Sequence, residues 1–251
     1  MLSAKERLTS YIDQANAKIN TKLGKVVVLG ILAGMFIAFA SIASTFANGL
    51  LDNGKLWGAL VFPFGLIMVV VSGSELFTGD CLLVAPLMDK KISIARLLLF
   101  MTVVYFSNFV GALIVASLAV YSNSLSIVAQ VVVQTAVNKA NLGFVSALLK
   151  GVLCNFLVCI AVWMAISSKS LTGKALACVP GVFLFVFCGF EHSIANMYYL
   201  MAGLFANSFY GVANVSVNVW DMLLMNLLPV TLGNVVGGAL VGVAYYYTAK
   251  N

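Results

Sequence analysis

Two short stretches gather most of the reactive side chains of an otherwise apolar chain. Ser72-Gly73-Ser74-Glu75-Leu76-Phe77-Thr78-Gly79-Asp80 holds two carboxylates and two kinds of hydroxyl, and Cys188-Gly189-Phe190-Glu191-His192-Ser193-Ile194-Ala195-Asn196 holds a carboxylate and the chain's single histidine. An imidazole donates a hydrogen bond to an anion, or gives it a proton, near neutral pH. Thr78, in the other stretch, offers a hydroxyl donor. Glu75 and Glu191 would repel an anion. They read as loop-fixing groups whose carboxylates accept backbone N–H bonds of their own stretch, with Asp80 and Asn196 as caps of the segments that follow. Taken alone, His192 is a satisfied polar side chain and Thr78 a local loop bond. Their surroundings give them weight.

Those surroundings are a membrane. Of 251 residues, 62% are hydrophobic and 9% charged, whereas a soluble domain is about a quarter charged. A water-soluble enzyme is thereby disfavoured. Apolar segments at 26–48, 56–88, 92–121, 143–167, 174–206 and 217–248 are each long enough to span a bilayer. The two polar stretches interrupt the second and fifth. Non-helical backbone at that depth is tolerated where protein buries it or where it lines a cavity, and ionisable residues there usually mark a pathway. A broken helix also frees N–H groups at a half-helix N-terminus, and two such ends meeting from opposite leaflets favour a small anion. Leu66, Leu76, Phe77 and Phe185 adjoin the breaks. Facing the axis they would form dry constrictions; otherwise they are packing or lipid-facing residues. Asn155 is expected to bond the second break and Lys150 to snorkel outward. Lys139 is a solvated loop lysine or an attractor of anions to a pore mouth.

Residues 3–19 carry Leu8, Tyr11, Ile12, Ala15 and Ile19 at helical spacing among charges, which predicts an amphipathic helix on the membrane surface. The domain reading is therefore 1–25 for this helix and 26–250 for one transmembrane domain. Met1 to Lys25 lacks the apolar core of a signal peptide. Eleven basic residues fall on the side of the termini and two, Lys55 and Lys139, on the other. That places both termini in the cytoplasm of a multi-pass protein of the cell membrane. The net charge of +6 forms no basic face, so nucleic acid is not an expected partner. Five cysteines without a C-x-x-C pair predict buried thiols, with no disulfide or metal site, and no constellation suggests a cofactor or catalysis.

The halves at 26–122 and 143–249 repeat. Gly73-x-Glu75 recurs as Gly189-x-Glu191, Asp80 matches Asn196, Gly34 and Phe39 match Gly151 and Phe156, and Asn108-x-x-Gly111 recurs as Asn234-x-x-Gly237. Three spans per half make the repeat inverted, with helices 2 and 5 broken. Gly30, Gly34, Gly111, Gly237, Gly238 and Gly242 would allow close helix approach.

Four motifs carry a family resemblance: G-S-E-L-F-T-G-D at 73–80, K-G-V-L-C-N-F-L-V-C-I-A-V-W-M-A at 150–165, G-F-E-H-S-I-A-N-M at 189–197 and N-L-L-P-V-T-L-G-N-V-V-G-G at 226–238. The chain resembles the formate/nitrite transporter family from about residue 20 onward. The resemblance implies an all-α, aquaporin-like protomer of six transmembrane helices, assembled as a homopentamer in the lipid bilayer with a pore in each subunit. His192 resembles the central pore histidine and Thr78 its partner. Leu66, Leu76 and Phe77 resemble the cytoplasmic constriction, and Phe185 the periplasmic one. Asn155 and Lys139 resemble the polar residues of the centre and the outer vestibule. Lys150-Gly151 with Leu153-Cys154-Asn155 looks nitrite-type, and Asn226 to Asn234 with Pro229 looks formate-type. The expected function is a channel for small monovalent anions of weak acids, formate first, with proton co-transfer through His192. A nitrite or hydrosulfide channel and an aquaporin-like neutral-solute channel are the alternatives, the last disfavoured by the absence of twin Asn-Pro-Ala motifs.

Overall fold

The computed structural model describes residues 3–212 and 218–250, and these are helical or in short connections, with no strand among them. Helix α1 is Ala4–Ile19, α2 Leu23–Leu50, α3 Gly54–Val61, α4 Pro63–Ser72, α5 Phe77–Asp80, α6 Val84–Met88 and α7 Ile94–Tyr121. The second half has α8 Ala129–Ala140, α9 Phe144–Ile166, α10 Leu171–Cys188, α11 Ser193–Tyr210, α12 Val219–Asp221 and α13 Leu228–Lys250. Six stretches are long and apolar enough to cross a membrane: Leu23–Leu50, Gly54–Ser72, Ile94–Tyr121, Phe144–Ile166, Leu171–Cys188 and Val219–Lys250. The expected start of the sixth segment, residue 217, lies outside the described residues.

A capping box starts α1: the Glu6 N–H donates to Ser3 Oγ and the Ser3 N–H to Glu6 Oε2. Its apolar face is buried, and the partner is protein where the sequence predicted a lipid surface. The helix packs on α13, α6 and α7. Tyr11 lies edge-on to Trp163 at 5.7 Å, and Trp163 stacks on Tyr245 at 4.7 Å. Edge-on and stacked ring pairs of this kind add about 0.5–1.5 kcal/mol each beyond the area they bury.

The two breaks have one construction. Helix α4 ends at Gly73 and α10 at Gly189, both with φ +71°. The Ser74 N–H reaches back to the Val69 carbonyl (3.0 Å) and the Phe190 N–H to that of Phe185 (2.9 Å). This left-handed helix end strains any residue bearing a Cβ. A few extended residues follow, and the chain re-enters helix as α5 or α11.

Close packing within the chain fixes both loops. Helix α2 runs along α7 and α9 along α13. A Cβ on Gly111 would fall 2.1 Å from the Ile31 carbonyl oxygen, and one on Gly237 2.2 Å from that of Val152. The glycines read as sites of close helix approach are therefore spent inside one protomer: Gly30 on Ser107, Gly34 on Asn108, Gly238 on Cys81 and Asn155, Gly242 on Val84. This closeness lets one asparagine serve each break. Asn108 Nδ2 donates to the carbonyls of Gly30 and Glu75 (both 2.8 Å), and its Oδ1 accepts the Phe77 N–H (3.0 Å). Asn234 Nδ2 donates to those of Gly151 (2.8 Å) and Glu191 (3.0 Å), and its Oδ1 accepts the Ser193 N–H (2.8 Å). These bonds correct the register of the repeat. The counterpart of Gly151 is Gly30, one helical turn before Gly34, and Asn155 falls opposite Gly34.

Candidate functional site

The second break shapes its histidine through the start of α11. His192 is the N-cap, and the Ala195 N–H donates to its Nδ1 at 3.1 Å. A nitrogen that accepts a hydrogen bond carries no proton, so in a neutral ring the proton sits on Nε2. Nε2 faces Thr78 Oγ1 at 2.9 Å, which makes the imidazole the donor and leaves the threonine its own hydroxyl proton to offer elsewhere. The ring stacks on Phe185 at 5.7 Å and 15°, and Phe185 meets Phe62 edge-on at 5.7 Å. His192 is 3% exposed and Thr78 wholly buried.

Thr78 is held from behind. Its carbonyl accepts Asn155 Nδ2 at 3.0 Å and the Cys159 thiol at 3.3 Å, and the Cys81 thiol donates to the Phe77 carbonyl. Asn155 thus serves the first break, not the second as the sequence suggested; its other Nδ2 bond goes to the Asn234 carbonyl at 2.7 Å. The reason is depth. Both breaks meet near the middle of α9, where Asn155 stands.

The acidic residues do not cap their own loops. Glu75 and Asp80 both pair with Lys18 Nζ, each at 2.6 Å, so the cation comes from α1. Glu191 pairs with Lys139 Nζ at 2.9 and 3.1 Å, so that cation comes from α8, a helix within the expected outer loop. Lys139 also lies over the Tyr199 ring at 5.2 Å. Asn196 Nδ2 donates to Glu191 Oε2 (2.6 Å) and Asn226 Oδ1 (2.7 Å), while Asn226 Nδ2 donates to the Lys139 carbonyl (3.0 Å). Neither Asp80 nor Asn196 caps a half-helix. Asn108, Asn234 and His192 answer the backbone donors instead. Three early N–H groups of α11 are engaged internally: Ser193 by Asn234, Ala195 by Nδ1, and Asn196 by the His192 carbonyl. The side-chain donor left free at this point is the Thr78 hydroxyl, because Nε2–H is engaged by Thr78 Oγ1.

Two cavities approach the pair from opposite sides. One of about 500 Å³, on the side of the termini, is lined by Tyr11, Lys18, Leu66, Val69, Leu76 and Asp80. The other, about 190 Å³, is lined by Phe62, Phe185, Glu191, His192, Lys139 and Tyr199. Leu66 and Leu76 thus stand on the first wall and Phe185 on the second. Phe77 lines neither: its ring packs edge-on against Tyr105 at 4.9 Å and faces a lateral groove. Lys18, Asn108, Asn234, Asn226 and Phe62 were not among the expected site residues. The paired Asn-x-x-Gly motifs could have marked the two asparagines; nothing local marks Lys18.

The family model described as formate/nitrite transporter matches residues 5–248. A probable formate transporter of Methanothermobacter thermautotrophicus is 39% identical, covering 93% of this chain and 92% of its own length. The formate channel FocA of Escherichia coli (strain K12) is 38% identical over 88% of this chain and 85% of its own. A solved pentameric formate channel with formate bound superposes with a TM-score of 0.80 at 31% identity, covering 91% of this chain and 98% of that one.

Proposed function

The chain belongs to the formate/nitrite transporter family, and from that premise we propose that it is a formate channel of the cell membrane, a homopentamer with a pore in each subunit and both termini in the cytoplasm. The observation that carries the pore is the Thr78–His192 hydrogen bond, buried between two cavities and flanked by apolar walls. Formate is supported by the relatives that bear its name and by the formate held in the solved pentamer. The excess of basic residues beside the termini supports the orientation.

A bare monovalent anion in an apolar constriction is destabilised by several kcal/mol. In the proposed path, Leu66 and Leu76 narrow one side and Phe62 and Phe185 the other, while Nε2–H holds the Thr78 oxygen and the Thr78 hydroxyl donates to the anion between them. Lys139 is neutralised by Glu191, so this pair orders the outer mouth without adding net charge to it. The geometry favours His192 as a neutral, fixed donor. To hand over a proton it must first become imidazolium, and protonation of Nδ1 would evict the Ala195 N–H and uncap α11. A relay therefore entails a movement at the start of α11.

Purified protein in liposomes tests the substrate class. Stopped-flow uptake should be fast for formate and slow for glycerol. Glycerol uptake matching formate would mean a neutral-solute pore. Nitrite or hydrosulfide uptake exceeding formate severalfold would reassign the substrate within the family.

A further inference from the structure

Outside the two pore vestibules lies a groove of about 530 Å³ between α7 and α13, floored by the start of α5. Its walls are apolar: Phe77, Val84, Leu98, Met101, Phe106 and Val235 are among the lining side chains. Leu98 and Phe106 are about 60% exposed on the outside of the bundle. Nothing in the channel mechanism uses this groove, yet its floor is the ring that packs beside the Thr78 loop.

Its length identifies what fits. The lining residues of α7 run from Ile94 to Tyr105 and Phe106. At 1.5 Å per residue that is about 17 Å, close to the hydrocarbon depth of one leaflet, about 15 Å. The deep end is closed by the hydrogen bond between Tyr105 Oη and Thr231 Oγ1 at 3.1 Å. The shallow end meets the turn from α6 to α7, where Lys90 and Lys91 are exposed. Asp89, in the same turn, is already neutralised by Lys250. The site therefore offers a leaflet-long apolar slot with uncompensated positive charge at headgroup level. Basic residues beside such a slot are the arrangement that attracts anionic headgroups.

We propose that the groove binds one acyl chain of an anionic phospholipid, with the headgroup phosphate on Lys90 and Lys91 and the chain end against Phe77 and Tyr105. The occupant supports the Phe77 ring from the membrane side and so couples lipid composition to the pore.

Native mass spectrometry of the full-length protein, with phosphatidylglycerol or phosphatidylcholine added, tests this. Wild type should retain phosphatidylglycerol in preference to phosphatidylcholine. Lys90→Gln with Lys91→Gln should reduce that retention at least about fivefold and erase the headgroup preference. Thr102→Trp, an exposed groove-lining position, should displace both lipids. Equal retention of the two lipids by wild type overturns the proposal, as does phosphatidylglycerol retention unchanged in both variants. If Thr102→Trp alters the oligomer mass while lipid retention stays constant, the groove belongs to a second copy of the chain and the lipid site is wrong.

Discussion

The two breaks have one scaffold and different chemistry. Gly73 and Gly189 turn the chain identically, and Asn108 and Asn234 make matching sets of three hydrogen bonds. Counting from the shared glutamates, Leu76 stands where the second break has His192, Thr78 where it has Ile194, and Asp80 where it has Asn196. The imidazole of one half then bonds the hydroxyl of the other. The charge also differs. The first break sets two carboxylates against one lysine, and the second sets one carboxylate against one lysine with amides around them. The two halves share the scaffold and differ in the side chains it presents.

The shared scaffold is the place to strike hardest. Asn108→Ala and Asn234→Ala each remove three bonds and strand buried partners, at roughly 1 kcal/mol or more per group. Each should cost about 3 kcal/mol and lower the melting temperature similarly. A large loss in one and none in the other breaks the equivalence. The lysines should separate next. Lys139 keeps 16% of its side chain exposed and Lys18 34%. Lys139→Met should cost about 3 kcal/mol by stranding one buried carboxylate, and Lys18→Met more, because it strands two, Glu75 and Asp80, whose side chains are 7% and 4% exposed. Equal losses in denaturation would show that α8 and α1 hold their breaks alike.

Smaller effects sharpen the contrast. Thr78→Val removes one hydroxyl at constant shape, so formate uptake should fall about tenfold, the worth of roughly one hydrogen bond, and stability should fall by about 1 kcal/mol because Nε2–H is left unpaired. Unaltered uptake would take Thr78 off the pathway. The smallest difference lies where the half-helices end. Helix α11 is tied by a neutral bond from Tyr210 to the Val120 carbonyl, but α6 ends at Asp89, which accepts from Lys250 and Tyr246. The Lys250 hydrogen bond holds the Asp89 carboxyl below its ordinary value. A depressed carboxylate adds stability above its unfolded pKa, about 4, and loses it as pH falls through the folded value. Asp89→Asn should therefore cost a few tenths of a kcal/mol near pH 7 and nothing in strong acid, read by melting at both pH values.

Much of this is legible in the chain. Six spans follow from apolar runs, and both breaks from glycine and acid at membrane depth. The paired motifs around Asn108 and Asn234 revealed the repeat, though a helix register cannot be fixed by two glycines four residues apart, so Gly34 was matched in place of Gly30. Side-chain reach was the hidden part. Lys18 bonds an aspartate 62 positions away, and its amphipathic surroundings suit a solvated lysine equally well. Asn155 pointed to the nearer break in sequence order, while depth brought it to the other.

The most direct test of a neutral, fixed His192 donor is formate uptake by liposomes bearing His192→Asn, measured between about pH 5 and pH 8. Asparagine can accept the Ala195 N–H in place of Nδ1, but it is too short to keep the bond that Nε2 makes to Thr78, and it takes up no proton. A fixed donor predicts slower uptake with the wild-type pH profile. Loss of acid-stimulated uptake, leaving only a slow pH-independent anion leak, would contradict it and make His192 a proton relay.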